Sequence, residues 1–375
     1  MQKQDHLLPK PWPESPPIYD IEKSYLDNAQ RGPFFSGKFP PRQINPKEAW
    51  VDFLGHQISS PLGVPAGPLL NSRWVLFAAN MGFDIVTYKT IRSKPKAAHP
   101  LPNMVYVKTD RFLHKDDQHQ PISQTLFPPL TMEQLALTNS FGIPSFDRDF
   151  LVEDIAKAQG GLNPGQVMIV SFVGTPRDGE DFEKDFAEAA AIALDGGATI
   201  LEADLSCPNV SSCEGSLFTD PGAIYRIARH IKKLNPTIPL VIKVGVVGET
   251  AKLREVMRAA ARGGVDAICG INTMSMRVVK DDGTPALGKD RISAGVCGGP
   301  IREVALEFLR WARTINCEEN LGLTILGTGG VTKAEHFDLF FDAGADVAMT
   351  ALGMMWDPYL ATRYHLRRKN ERCRS

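Results

Sequence analysis

The feature that most constrains this chain is a rhythm. From residue 60 onward, a short apolar run is followed by a segment of helical periodicity, eight times over. The strand candidates are 62–66, 84–89, 167–173, 199–205, 239–244, 266–271, 323–327 and 345–350. Helical candidates lie at 72–82, 149–159, 181–195, 220–234, 249–263, 300–315 and 332–343, and an eighth begins near Trp356. Apolar runs alternating with such segments predict a parallel sheet flanked by helices. Eight units in 375 residues predict an α/β chain folded as a (β/α)8 TIM barrel, with a doubly wound sheet as the alternative. Local signals agree. Asp178–Asp181, Asp220-Pro221 and Thr332 stand where helix N-caps are wanted. Gly196-Gly197 and Gly263-Gly264 stand where helices need a left-handed terminator.

Two segments fall outside the rhythm. Residues 1–50 are polar and proline-rich, with one helical candidate near IEKSYLDNA, and read as an arm on a barrel domain spanning 51–375. Residues 92–148 interrupt the barrel after the second strand. MVYVKTDRFLHK and LFPPLT within them predict a hairpin and a loop over the barrel's C-terminal mouth. Composition then excludes several function classes. A net charge of −1 gives no reason to expect nucleic acid or a membrane surface as partner, and the basic end RYHLRRKNERCRS reads as a solvated helix end. No run approaches the ~18 apolar residues of a membrane span. The N-terminus has no apolar core of a signal peptide. Six cysteines, at 207, 213, 269, 297, 317 and 373, form no C-x-x-C pair. That argues against a metal site and a disulfide framework, and for the reducing cytoplasm.

A barrel places its chemistry at the carboxyl ends of its strands. The polar residues of this chain cluster there. In TILEADLSCPN (199–209), Glu202, Asp204 and Ser206 alternate with apolar residues, and Cys207, Pro208 and Asn209 form the tip. Lys89 ends the second strand and Lys243 the fifth; Asn272 and Thr273 follow the sixth. Two lysines facing one lumen suggest an anion site or an electron-rich ring as ligand. GTGGVTKAEH (327–336) and AGVCGGPIREVAL (294–306) are glycine turns that open helices, which suits a phosphate. No G-x-G-x-x-G with a matching acidic residue is present, so a phosphate-bearing cofactor is expected and not a dinucleotide. Cys213 is a second thiol candidate in a lid, whereas Cys269 and Cys297 read as packing residues. On these residues alone, a lyase or isomerase using a lysine Schiff base also stays open.

The stretches SPLGVPAGPLLN, VTYKTIRSKPKAAHPLPNM, NSFGIPS, DLSCPN, IKVG, INTMS, GVCGGP and GTGGV occur in order from about residue 60 to 331. In them the chain resembles the dihydroorotate dehydrogenase family of FMN enzymes. The likeness extends from about residue 50 to 360. The resemblance implies oxidation of the CH–CH bond of a dihydropyrimidine, most simply dihydroorotate to orotate in pyrimidine biosynthesis. It implies Cys207 as the base that takes the C5 proton while hydride leaves C6 for the flavin. A cysteine there resembles the soluble branch, whose members resemble dimers, so a homodimer is expected. The SCP motif is also similar to that of the catalytic domain of dihydropyrimidine dehydrogenase.

The family's substrate residues match Lys89, Asn139, Asn209, Asn272 and Thr273. Its flavin contacts match Ala66, Gly67, Lys89 and Lys243, and its phosphate loops match Gly298, Gly299, Gly329 and Gly330. Two departures stand out. Asp204 occupies the place of a family asparagine that faces the pyrimidine, and an ionised carboxylate can only accept there. Ala351-Leu352 replaces the last phosphate-binding pair. Because of Asp204, a related FMN enzyme acting on a different ring is the second reading, and a flavin-binding protein without turnover is another.

Overall fold

The computed structural model describes residues 8–176, 181–206 and 217–372. Its frame is a closed barrel of eight strands: β1 (Leu62–Val64), β2 (Ile85–Ile91), β3 (Val167–Phe172), β4 (Ile200–Asp204), β5 (Leu240–Lys243), β6 (Ala267–Gly270), β7 (Thr324–Gly327) and β8 (Val347–Met349). Each strand pairs in parallel with its sequence neighbours, and β8 closes on β1. All eight expected strands are present; seven are trimmed at their ends, and the second runs on to Ile91, two residues past Lys89. The doubly wound alternative fails because that closing pair leaves no open sheet edge.

The lumen explains why the strands read as they do. Their early inward positions are apolar: Ile85, Val167, Ile200 and Val241 form one buried cluster. Phe53 and Ile58 join it from the hairpin Val51–Phe53/His56–Ile58, which plugs the amino-terminal end. Later inward positions turn polar, with Thr87, Lys89, Ser171, Glu202, Asp204 and Lys243 all buried. Burial thus stabilises the lower lumen by excluding water from apolar groups, and ionisable groups are confined to the upper end.

The helices follow their caps. Asp181 and Asp220 accept from first-turn amides, and Pro221 opens its helix. Gly264 ends Thr250–Gly263 at φ 89°, a left-handed backbone that glycine adopts without strain. Thr332 is not a cap. The His336 ring accepts from the Thr332 and Lys333 amides at 3.2 Å, so that helix begins only at His336.

The mouth is built from more than the segment 92–148. Met104–Val107, Pro121–Thr125 and Ala136–Asn139 form a second sheet with Met274–Val279 and Ala294–Gly298, an excursion between β6 and β7. No strand is expected in that excursion from the sequence, although its buried Met274, Met276 and Val278 alternate with half-buried Ser275 and exposed Arg277. The arm is bolted to the barrel. Ile18 N–H donates to Met355 O at 2.9 Å, Trp74 Nε1 to Asn28 O at 3.2 Å, and Asn71 Nδ2 to Ala29 O at 2.7 Å.

Candidate active site

A large cavity opens at the carboxyl end of the barrel, enclosing ≈ 1190 Å³ of atom-free space including its open mouth. The barrel contributes Lys89, Asp204 and Lys243 from strands, and Ala66, Gly67, Asn272 and Thr273 from the loops after them. Lys243 Nζ donates to Ala66 O at 2.9 Å, so its charge reaches across to the loop after β1. Asp204 Oδ1 accepts from the Ser206 amide at 3.1 Å. Asn272 Nδ2 lies 3.3 Å from Ser206 Oγ and 3.5 Å from Asp204 Oδ1. The tip of β4 is therefore braced from β6 just before Cys207. Cys207, Asn209 and Cys213 themselves lie outside the described residues.

The mouth sheet contributes Asn139 and Cys297. Cys297 is therefore not merely a packing residue: it lines the cavity, with burial pushing its thiol up to about 12. Cys269 lies in the buried lumen cluster.

One wall is bare backbone. Gly298, Gly329 and Gly330 line it at φ 110°, 111° and 98°. A Cβ on Gly298 would overlap the Leu135 carbonyl oxygen, and one on Gly330 would lie 2.5 Å from Arg302 Cβ. Gly299 stands apart. It is not among the lining residues, and its amide already donates to Leu135 O at 2.9 Å. Behind this wall the buried Arg302 donates to Glu133 of the mouth and to the His336 ring. Lys333 Nζ meets Glu133 at 3.0 Å.

The family model described as dihydroorotate dehydrogenase matches residues 128–362. The dihydroorotate dehydrogenase of Dictyostelium discoideum is 47% identical over 367 residues, covering 96% of this chain and 99% of that protein. The chain belongs to the dihydroorotate dehydrogenase family.

Shorter matches reach other members. The dihydroorotate dehydrogenase B (NAD(+)) catalytic subunit of Maridesulfovibrio salexigens is 31% identical over 182 residues, 48% of this chain and 57% of that protein. The dihydroorotate dehydrogenase A (fumarate) of Lactobacillus delbrueckii subsp. bulgaricus is 27% identical over 219 residues, 55% of this chain and 68% of that protein.

Several cavity residues escaped sequence reading. Tyr19 and Tyr25 of the arm, both buried, line its apolar end together with Phe141 and Leu70. Two tyrosines in an otherwise polar, proline-rich arm were the available signal. Among the described residues no helix is long and apolar enough to cross a membrane.

Proposed function

We propose that this protein is an FMN-dependent dehydrogenase that oxidises dihydroorotate to orotate, a step of pyrimidine biosynthesis. The observation that carries the reading is the joining of the lysines, Asp204 and the glycine wall in one cavity at the barrel mouth. The fit to a phosphate-bearing flavin lies in that wall. Side chains are sterically barred from Gly298 and Gly330, which leaves a backbone cradle for a phosphate. When bound, the flavin supplies the hydride acceptor.

The chain's own residues do the rest. Lys243, held by the Ala66 carbonyl, places a positive charge where negative charge builds on reduction. Ala66 and Gly67 keep that face open to a flat ring. Asn139, Asn272 and Thr273 offer polar groups to the pyrimidine, and Lys89 stands beside both ligands. Cys207, the residue after the braced Asp204–Ser206 tip, takes the C5 proton as its thiolate, with Asn209 as a further substrate residue. A free thiol of pKa about 8.5 is only a few per cent thiolate at neutral pH, so this step favours alkaline conditions.

The test is anaerobic. The purified protein should be yellow, should release FMN on heating, and should bleach when dihydroorotate is added. Release of FAD would overturn the cofactor. A yellow protein that dihydroorotate leaves unbleached would overturn the substrate.

A further inference from the structure

One buried ionisable group has no place in that scheme. Glu202 points into the lumen one inward position below Asp204 and is 0% exposed. Neither carboxyl oxygen has a hydrogen-bond partner among the described residues. Ser171 on β3 and Val241 on β5 flank it in register. The titratable groups facing it are Lys243 on β5, Asp204 on β4 and Cys269 on β6. Lys243 is the nearby cation, yet its Nζ donates upward to Ala66 O and not to Glu202.

An ionised carboxylate in this position would be a buried charge with no donor on either oxygen, which proteins avoid by neutralising the group. We propose that Glu202 is a positioning residue held as a neutral carboxylic acid beneath Lys243, so that the lysine's charge acts on the anionic ligand above and not on the barrel floor. The surroundings agree. Burial, the largest effect, pushes the carboxyl up and the Asp204 carboxyl adds to it; Lys243, the Ser171 hydroxyl and the Cys269 thiol oppose them, but neither hydroxyl nor thiol makes a hydrogen bond of good geometry, and the net direction is upward. Lys89, Lys243 and Asp204 then face the cavity, and Glu202 adds no negative charge beneath them. This consequence for the ligand rests on the function proposed above; the protonation of Glu202 does not.

Infrared spectroscopy of the ligand-free protein near neutral pH tests the protonation directly. Exposed glutamates are ionised there, so a protonated-carboxyl C=O band that shifts with ¹³C-glutamate labelling belongs to a buried neutral acid. The band should be present and should vanish in Glu202→Gln. Its absence from the labelled parent protein overturns the proposal, and that result needs no variant to fold. Orotate binding supplies the second arm. Glutamine is a neutral isostere, so Glu202→Gln should bind orotate within about threefold of the parent, whereas removal of a real charge beside Lys243 would tighten binding by about tenfold or more. Tightening of that size overturns the proposal. Orotate failing to bind either protein would sink the substrate reading instead, and the infrared band would still decide Glu202.

Discussion

Replacing Glu133 by glutamine probes how the mouth is joined to the phosphate wall. Glu133 sits in the turn Met132–Gln134, and its carboxylate meets Arg302, Lys333 and His336, all from the barrel. Burial works to raise its pKa, but hydrogen bonds from Arg302 and Lys333 win and hold it at about 2, against an ordinary value of 4.5. Read at face value, that difference is about 3 kcal/mol. The Glu133 side chain is 33% exposed, so solvent screens the interaction, and about 1–2 kcal/mol is the better figure. Arg302 is only 5% exposed and would lose the carboxylate it pairs with among the described residues, which adds about 1 kcal/mol.

A total near 2 kcal/mol should shift the midpoint of thermal unfolding by about 2–3 °C for a chain of 375 residues. The sign with pH follows from the depressed value. Glu133's contribution is full above pH 4.5 and fades as pH falls toward 2, so the gap between parent and Glu133→Gln should close over that window. His336 adds a slope of its own in both proteins, steeper in Glu133→Gln because the carboxylate that favours the charged ring is gone. Burial, then Arg302, holds it near 4 against 6.5, so stability falls as pH drops through that range. Urea unfolding of both proteins at several pH values is the assay. A gap below about 0.5 kcal/mol at neutral pH, or one that does not narrow on acidification, would refute the argument.

Three further outcomes are expected. Cys207→Ala should keep its flavin and lose about 10²–10⁴-fold in the rate of flavin reduction by dihydroorotate; parent-like reduction would place the base elsewhere. Asp204→Asn keeps an oxygen for the Ser206 amide and gains a donor for the pyrimidine, so orotate should bind up to about tenfold tighter by flavin absorbance titration; an unchanged dissociation constant would mean Asp204 does not face the ring. Gly330→Ala places a Cβ against Arg302 at a left-handed backbone, so it should lose about 1–3 kcal/mol and release its flavin on gel filtration. Gly197→Ala is its control, equally left-handed at φ 83° but with nothing within 4 Å, and should retain the flavin.

The barrel was legible because each strand carries its own address. A period of two assigns faces within a few residues, and TILEADLSCPN shows both the lumen side and the tip without any distant partner. Lys89, Asp204 and Lys243 were legible for the same reason: each is near the end of a strand whose parity is local. The second half of the mouth was not. Ala294–Gly298 becomes a strand by pairing with Ala136–Asn139, which is far away in sequence. Its glycines read locally as a turn, and only the pairing shows that the Gly299 amide is already taken.

Glu133 makes the same point. By sequence it is a polar residue in a loop, and its importance comes from three barrel side chains that converge on it. Glu202 lies between. The sequence put it on the inward face, beside Asp204, and could say no more. Whether an inward carboxyl meets a donor, a lysine or nothing depends on closure of the barrel, which brings β3, β5 and β6 around it. Periodicity is a property of one strand and determined the faces; electrostatic environment is a property of the neighbours, and only the tertiary structure decided it.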